Sequence, residues 1–246
     1  MRLPQTTNSI IAIHRQDKNY PIRLNDLYDP PKVLYIYGGI ALLHQPMIAI
    51  VGSRTASIRG MENASVFAKA LSKAGLVVLS GMARGIDGAA HQATLGLDHG
   101  LTLAVCGTGI DVVYPREHAN LANNIAKRGL LLSEFPPGTG PKPFHFPRRN
   151  RLIAALALGV VVIEAVDKSG SLITARIAAE LGREVFALPG PAEDPLYRGC
   201  HRLIQEGAKL VVSPGEVLED IITGSKTLFK GPGMAFLGKK SWDMEL

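Results

Sequence analysis

An α/β fold, with a mostly parallel twisted sheet and helices on both faces, is predicted by three observations. Short apolar runs recur along the chain and stop at glycine-containing turns, as Met47–Val51 stops at Gly52-Ser53-Arg54. Stretches with apolar residues at helical spacing follow these runs, as Ile58, Met61, Val66, Phe67, Ala70 and Leu71 do here. Most runs are continuous rather than alternating, which is the pattern of strands covered on both sides. Strand and helix in alternation imply right-handed parallel crossovers, so the doubly wound, Rossmann-like class follows. Sheets of that class bind ligands at their carboxyl edge, in the turns that leave the strands.

The elements are read in chain order. Residues 1–45 form a lead-in and edge segment, with stiff Asp29-Pro30-Pro31 before a candidate edge strand at Val33–Tyr37 and a Gly38-Gly39 turn or helix start. Residues 46–223 form the Rossmann-like domain, with strands expected at 47–51, 76–80, 101–106, 130–132, 160–164, 185–188 and 209–212. Helices are expected at 57–74, 85–97, 117–128, roughly 150–158, 171–182, 200–207 and 215–222. Residues 224–246 break this rhythm with four lysines and scattered Leu, Phe and Trp, and read as a strap or a loose tail.

Composition narrows the function classes. The chain has 246 residues, 46% of them hydrophobic, enough for one large core. Its net charge of +6 says little by itself. The charge is local, however: residues 142–151 carry Lys142, Arg148, Arg149 and Arg151 without an acid. No stretch reads as a membrane span or a secretion signal, and two cysteines, Cys106 and Cys200, do not make a disulfide framework. A cytoplasmic location is the expectation.

Five polar turns are candidates for one anion site. Gly52-Ser53-Arg54 offers a tight turn, amides at a helix start, and a guanidinium fork suited to phosphate. Ser80-Gly81-Met82-Ala83-Arg84-Gly85 precedes a small-residue helix face, with Asp87 placed to bond nearby amides or to brace Arg84. Gly107-Thr108-Gly109 is a G-x-G turn without the remaining dinucleotide fingerprint. In Lys142–Arg151, prolines at 141, 143 and 147 suggest an extended, stiff segment. There Phe144 and Phe146 can stack on bases while Arg148, Arg149 and Arg151 engage phosphate. Asn150 and Arg151 are expected near the positive end of the helix that follows. Lys168-Ser169-Gly170-Ser171 is a phosphate nest without the Walker spacing, with Lys168 aimed at the same site as Arg54.

Catalytic signatures are missing. The seven histidines make no zinc motif, and no G-x-S-x-G elbow is present. His91, on the small-residue helix, reads as a structural hydrogen-bonder. Glu134 and Glu164 each follow an apolar strand; they either reach the cleft or orient arginines and amides.

Taken together, these segments resemble the DNA-processing protein A family, also called Smf. The segments are VGSR (51–54), SGMARGIDGAAH (80–91), GTGIDVVYP (107–115), SEFPPG (133–138), FPRRNRLIAAL (146–156), VVIEAVDKSGSLITA (161–175), GREVFALPG (182–190) and GCHRLIQEGA (199–208), with YP, DPP and LYIYG within 20–38. The resemblance implies an extended Rossmann-like domain that binds single-stranded DNA without strong sequence preference, protects incoming strands in natural transformation and helps load the RecA recombinase. It implies a homodimer; the missing motifs lead to the expectation of no enzymatic activity, no cofactor and no metal. It also implies a basic pocket built on Arg54 and Lys168, with Arg148, Arg149, Asn150 and Arg151, and Phe144 or Phe146 as base platforms. The amides and side chains of Gly52, Ser53, Ser80, Gly81, Arg84, Gly85, Ser169, Gly170 and Ser171 would complete the cradle. Two other readings stay open: a phosphoribohydrolase-like nucleotide-processing enzyme, and a mononucleotide-binding module. The first is poorly served, because a P-G-G-x-G-T turn is expected where this chain reads DKSGSLITA.

Overall fold

A computed structural model describes residues 9–228. Its strands are β1 (Ile11–His14), β2 (Val33–Gly38), β3 (Met47–Val51), β4 (Val77–Ser80), β5 (Thr102–Val105), β6 (Leu130–Ser133), β7 (Gly159–Val162), β8 (Glu184–Ala187) and β9 (Lys209–Leu210). Its helices are α1 (Ile58–Lys73), α2 (Ile86–Leu95), α3 (Ala119–Arg128), α4 (His145–Leu156), α5 (Gly170–Glu180), α6 (Arg198–Gln205) and α7 (Pro214–Leu228). The strands form one sheet in the order β1-β2-β6-β5-β4-β3-β7-β8-β9. From β6 to β9 every pairing is parallel, while β2 joins β6, and β1 joins β2, antiparallel. This is an extended Rossmann-like α/β fold.

Strand β3 shows why the sheet is covered twice. All five of its residues are buried. Ile48 and Ile50 pack under α1 and α2, while Met47, Ala49 and Val51 lie in the opposite core with α4 and α5. Burying side chains of this size contributes roughly 1.5–3 kcal/mol each. Helices α1, α2, α3 and α7 cover one face, and α4, α5 and α6 cover the other.

The order of strands fixes where loops meet. From β3 the chain steps outward through β4, β5 and β6, then α4 carries it back so that β7 lies on the other side of β3. The loops after β3 and β7 therefore diverge to opposite faces, and a crevice opens between them.

The structure departs from the sequence reading in three places. Val33–Tyr37 is not the edge, because β1 pairs outside it over Ile11–His14. Only Ile13 of β1 is buried, so the strand shows no apolar pattern long enough to read. Second, the 142–151 segment is not extended: α4 begins at His145 and includes Pro147. A proline in the first turn removes an amide that has no partner inside the helix, so it costs nothing there. Asn150 and Arg151, expected near the positive end of the helix, consequently sit inside it. Third, α7 runs on to Leu228, into the segment read as a tail; residues 229–246 lie outside the described residues.

Candidate nucleic-acid interface

The crevice between β3 and β7 is a cleft of about 340 Å3. One wall is Gly52-Ser53-Arg54 and the other is Ser169-Gly170-Ser171; Asp87, Arg149 and Asn150 lie between them. The first wall is held at both ends by one residue. The Ser53 amide donates to the backbone carbonyl of Glu164 at 2.8 Å, and the Ser57 amide donates to the Glu164 carboxylate at 3.0 Å. The Ser57 hydroxyl donates to the same carboxylate and accepts from the Gly60 amide, capping α1. Glu164 is buried, so it orients amides and does not reach the cleft.

Arg54 stands exposed on this wall, its guanidinium carbon 5.2 Å from the centre of the Phe146 ring. Such a cation over a ring face is mildly attractive and keeps the fork near the cleft mouth. Phe146 is half-buried, 5.3 Å from the Tyr114 ring and tight against Gly107. Phe144 is 65% exposed, with the Lys142 amine 5.8 Å from its ring centre. Of the two aromatics, Phe144 has the open face.

The opposite wall is the start of α5. Its first amides have no partner within the helix, and the helix dipole makes this end positive. Ser169 occupies the N-cap position, and its hydroxyl lies 2.6 Å from that of Ser171. The Asn150 side chain donates to the Gly170 carbonyl at 3.1 Å, tying α4 to this loop. Lys168 immediately precedes the wall, exposed and with a left-handed backbone at φ 61°. Neither Arg54 nor Lys168 has an ion pair among the described residues.

The floor corrects three expectations. Arg149 is 4% exposed and spends one terminal nitrogen on the Gly81 and Val105 carbonyls, at 2.5 and 2.7 Å. It fastens two loops instead of presenting its charge, and burial lowers its pKa against the raising influence of Asp87. Asp87 accepts from the Gly81 and Ala83 amides, and its carboxyl is shifted upward because it is buried. Ser80 is fully buried and donates to the Ile50 carbonyl at 2.6 Å, out of reach of a ligand. Arg151 turns to the far side of α4, where it donates to the Asp29 carbonyl and the Glu134 carboxylate. Arg148 also pairs with Glu134, at 3.1 Å, so this acid orients arginines. Of the two roles expected of Asp87, bonding nearby amides or bracing Arg84, the structure shows the first, and Arg84 pairs with Glu117 at the surface.

The glycines prove to serve loop packing. A Cβ on Gly52 would meet Ile86 at 2.5 Å, one on Gly81 would meet Arg149, and one on Gly85 (φ 67°) would strike the Ser53 carbonyl. Of the glycines in the candidate cradle, Gly170 faces open space, with Asn150 at 3.7 Å its single neighbour. Sequence reading missed Tyr114, which lines a small recess beside Arg54 and Phe146. Its signal was an aromatic residue closing the G-x-G turn. His91 is buried, with Nδ1 2.7 Å from the Thr102 hydroxyl, a structural role as read. Among the described residues no cluster of His, Cys, Asp and Glu could hold a metal ion, and no helix is long and apolar enough to cross a membrane.

The chain is similar to known proteins. A DNA processing protein DprA from Streptococcus pneumoniae is 49% identical over 204 residues, covering 83% of this chain and 72% of the relative. Protein Smf of Escherichia coli is 44% identical over 228 residues, covering 92% of this chain but 61% of the relative. The X-ray structure of the S. pneumoniae protein superposes with a TM-score of 0.83 at 47% identity, covering 86% of this chain and 74% of that one. A Helicobacter pylori DNA processing protein A, whose structure was described for its single-stranded DNA binding mode, gives 0.78 at 30% identity, covering 89% and 97%. The family model for DNA recombination-mediator protein A matches residues 11–222, and the chain belongs to that family.

Proposed function

We propose that this protein binds single-stranded DNA at the carboxyl edge of its sheet and acts as a recombination mediator, not an enzyme. The observation that carries this reading is the cleft between β3 and β7, with Arg54 on one wall, the open amides of α5 on the other and Lys168 immediately before it, neither cation ion-paired among the described residues. Two cations free of acidic partners, and a helix start, are what a phosphate needs. The open ring of Phe144 beside the Lys142 amine suits an unstacked base. A duplex keeps its base faces stacked, so the strand that fits is single. The H. pylori relative, studied for its single-stranded DNA binding, supports the same ligand here. We extend the reading to natural transformation, with RecA recombinase and a second copy of this chain as partners, and with Arg148 and Arg84 at the rim.

The test is a filter-binding titration of oligodeoxynucleotides at two salt concentrations with the Arg54→Ala, Lys168→Ala double variant. Each phosphate contact on a single strand contributes about 0.7 to the log–log salt slope, so the double variant should lose roughly 1.4. Its unfolding midpoint should not move, since both side chains are exposed. Unchanged affinity in the folded variant would overturn the reading.

A further inference from the structure

Three rings stand in a row from the core to the surface where α4 begins. Phe135, just after β6, is buried; His145, the first residue of α4, is 5% exposed; Phe144 before it is open to solvent. The Phe135 and His145 rings are stacked, with centres 4.2 Å apart and planes at 26°. The His145 and Phe144 rings meet at 85°, with centres 4.7 Å apart. Offset stacking and edge contact are both attractive for aromatic rings. The middle ring therefore links a buried phenylalanine to an exposed one.

His145 serves here as a ring and not as a hydrogen-bonder. Its Nδ1 is buried without a partner. The backbone of Phe144 is fixed by other means. The loop before it is pinned to the G-x-G turn: the Gly138 amide donates to the Asp111 carboxylate at 2.7 Å, and the Gly109 amide donates to the Thr139 carbonyl at 2.8 Å. The His145 amide donates to the Lys142 carbonyl at 3.0 Å and closes the turn that carries Phe144. The freedom left to Phe144 lies in its side-chain torsions. Of its two ring contacts, the Lys142 amine is on a flexible stem, 5.8 Å from the ring centre, while His145 is held in place by Phe135.

We propose that His145 is a positioning residue for DNA binding: it holds the Phe144 ring where a base stacks on it, and does not touch the strand itself. The proposal rests on the single-stranded DNA reading above and deepens it. A platform that is set before the strand arrives does not have to be ordered at binding, so affinity rises. Every base has a face to stack, so the gain is the same for all of them and adds no sequence preference.

The test measures affinity for oligodeoxythymidine by fluorescence anisotropy. Phe144→Ala should weaken binding about tenfold, the size of one base stack. His145→Ala should weaken it about fivefold, the effect of one ring left to be ordered at binding. Its log–log salt slope should stay unchanged, because no phosphate contact is lost. In a Phe144→Ala background, His145→Ala should do nothing further, because the ring it positions is gone. His145→Phe keeps a ring at this place and removes the unpartnered nitrogen, so it should bind as the native protein does. If His145→Ala does not fold, His145→Leu fills the place without a ring and is read in the same way. No loss on Phe144→Ala or His145→Ala, a loss just as large without Phe144, or a loss that folded His145→Phe shares would overturn the positioning role alone. Failure of the native protein to bind oligodeoxythymidine would overturn the single-strand reading with it.

Discussion

Gly81→Ala is the substitution whose cost the structure lets us work out most directly. The new Cβ would lie 1.9 Å from Arg149 Nη1, and the guanidinium carbon would be 2.4 Å away. Arginine ends are flexible and often give way cheaply. This one is 4% exposed, and the same nitrogen donates to the carbonyls of Gly81 and Val105. To clear the methyl group it must release the first bond and strain the second. Hydrogen bonds made by a charged donor contribute about 1.5–3 kcal/mol each, and a buried charge left unpartnered costs more. A destabilisation of about 3 kcal/mol follows, against a typical total of about 5–15 kcal/mol for a native domain. Arg149→Ala should cost a similar amount, because the carbonyls and buried Asp87 lose the same partner. The decisive variant is the pair. The three atoms nearest a methyl group on Gly81 all belong to Arg149, so with Arg149 gone the double variant should be no less stable than Arg149→Ala alone. Urea unfolding of the four proteins gives the coupling as a difference of free energies, and about 3 kcal/mol is expected. Additive costs would refute the reasoning and return Arg149 to the list of free phosphate contacts.

Other outcomes follow from the same packing. His91 is pushed down to about 3 by burial, whereas the unfolded chain takes up that proton near pH 6.5. The unfolded state therefore gains protons first, and this contribution to stability is lost as pH falls from 6.5 towards 3. A pH series of unfolding midpoints should show the loss, and His91→Asn should flatten it. Gly170→Ala adds a methyl group to open space at the cleft wall. Thermal melts should show no loss of stability, while filter binding shows weaker binding of single-stranded DNA. Glu164→Ala removes the acceptor of the Ser57 amide and hydroxyl and should cost about 2–4 kcal/mol in urea unfolding. A variant that holds its stability would contradict the role given to Glu164 in pinning the Arg54 loop.

The fold was legible wherever strands were buried on both faces. Met47–Val51 and Gly159–Val162 carry no polar residue, and the turns that follow them are built from small and polar ones, so the crevice between β3 and β7 follows from pattern plus topology. Strand β1 was illegible for the opposite reason. It buries one side chain of four, and its place is decided by pairing with β2. The start of α4 is hidden by Pro147, because proline favours extended surroundings yet is also tolerated in a first helical turn. That one misreading moved three basic residues. Arg148, Arg149 and Arg151 look equivalent in a line of text, but on a helix they divide: Arg149 points to the floor of the cleft, while Arg148 and Arg151 both turn to Glu134 on the other side of α4.

The same distinction separates what composition can say about a basic site from what geometry adds. A run of arginines reports positive charge, yet only cations without acidic partners can exchange their counterions for phosphate. Arg149 is committed to carbonyls, Arg151 and Arg148 to Glu134, and Arg84 to Glu117. Arg54 and Lys168 are each single cations in glycine-containing turns, and neither makes an ion pair among the described residues. The denser cluster instead builds the framework on which the cleft is mounted. Binding strength should therefore track the two isolated cations, and fold stability should track the cluster. The Gly81 and Arg149 unfolding cycle and the Arg54 and Lys168 salt titration measure these two quantities separately.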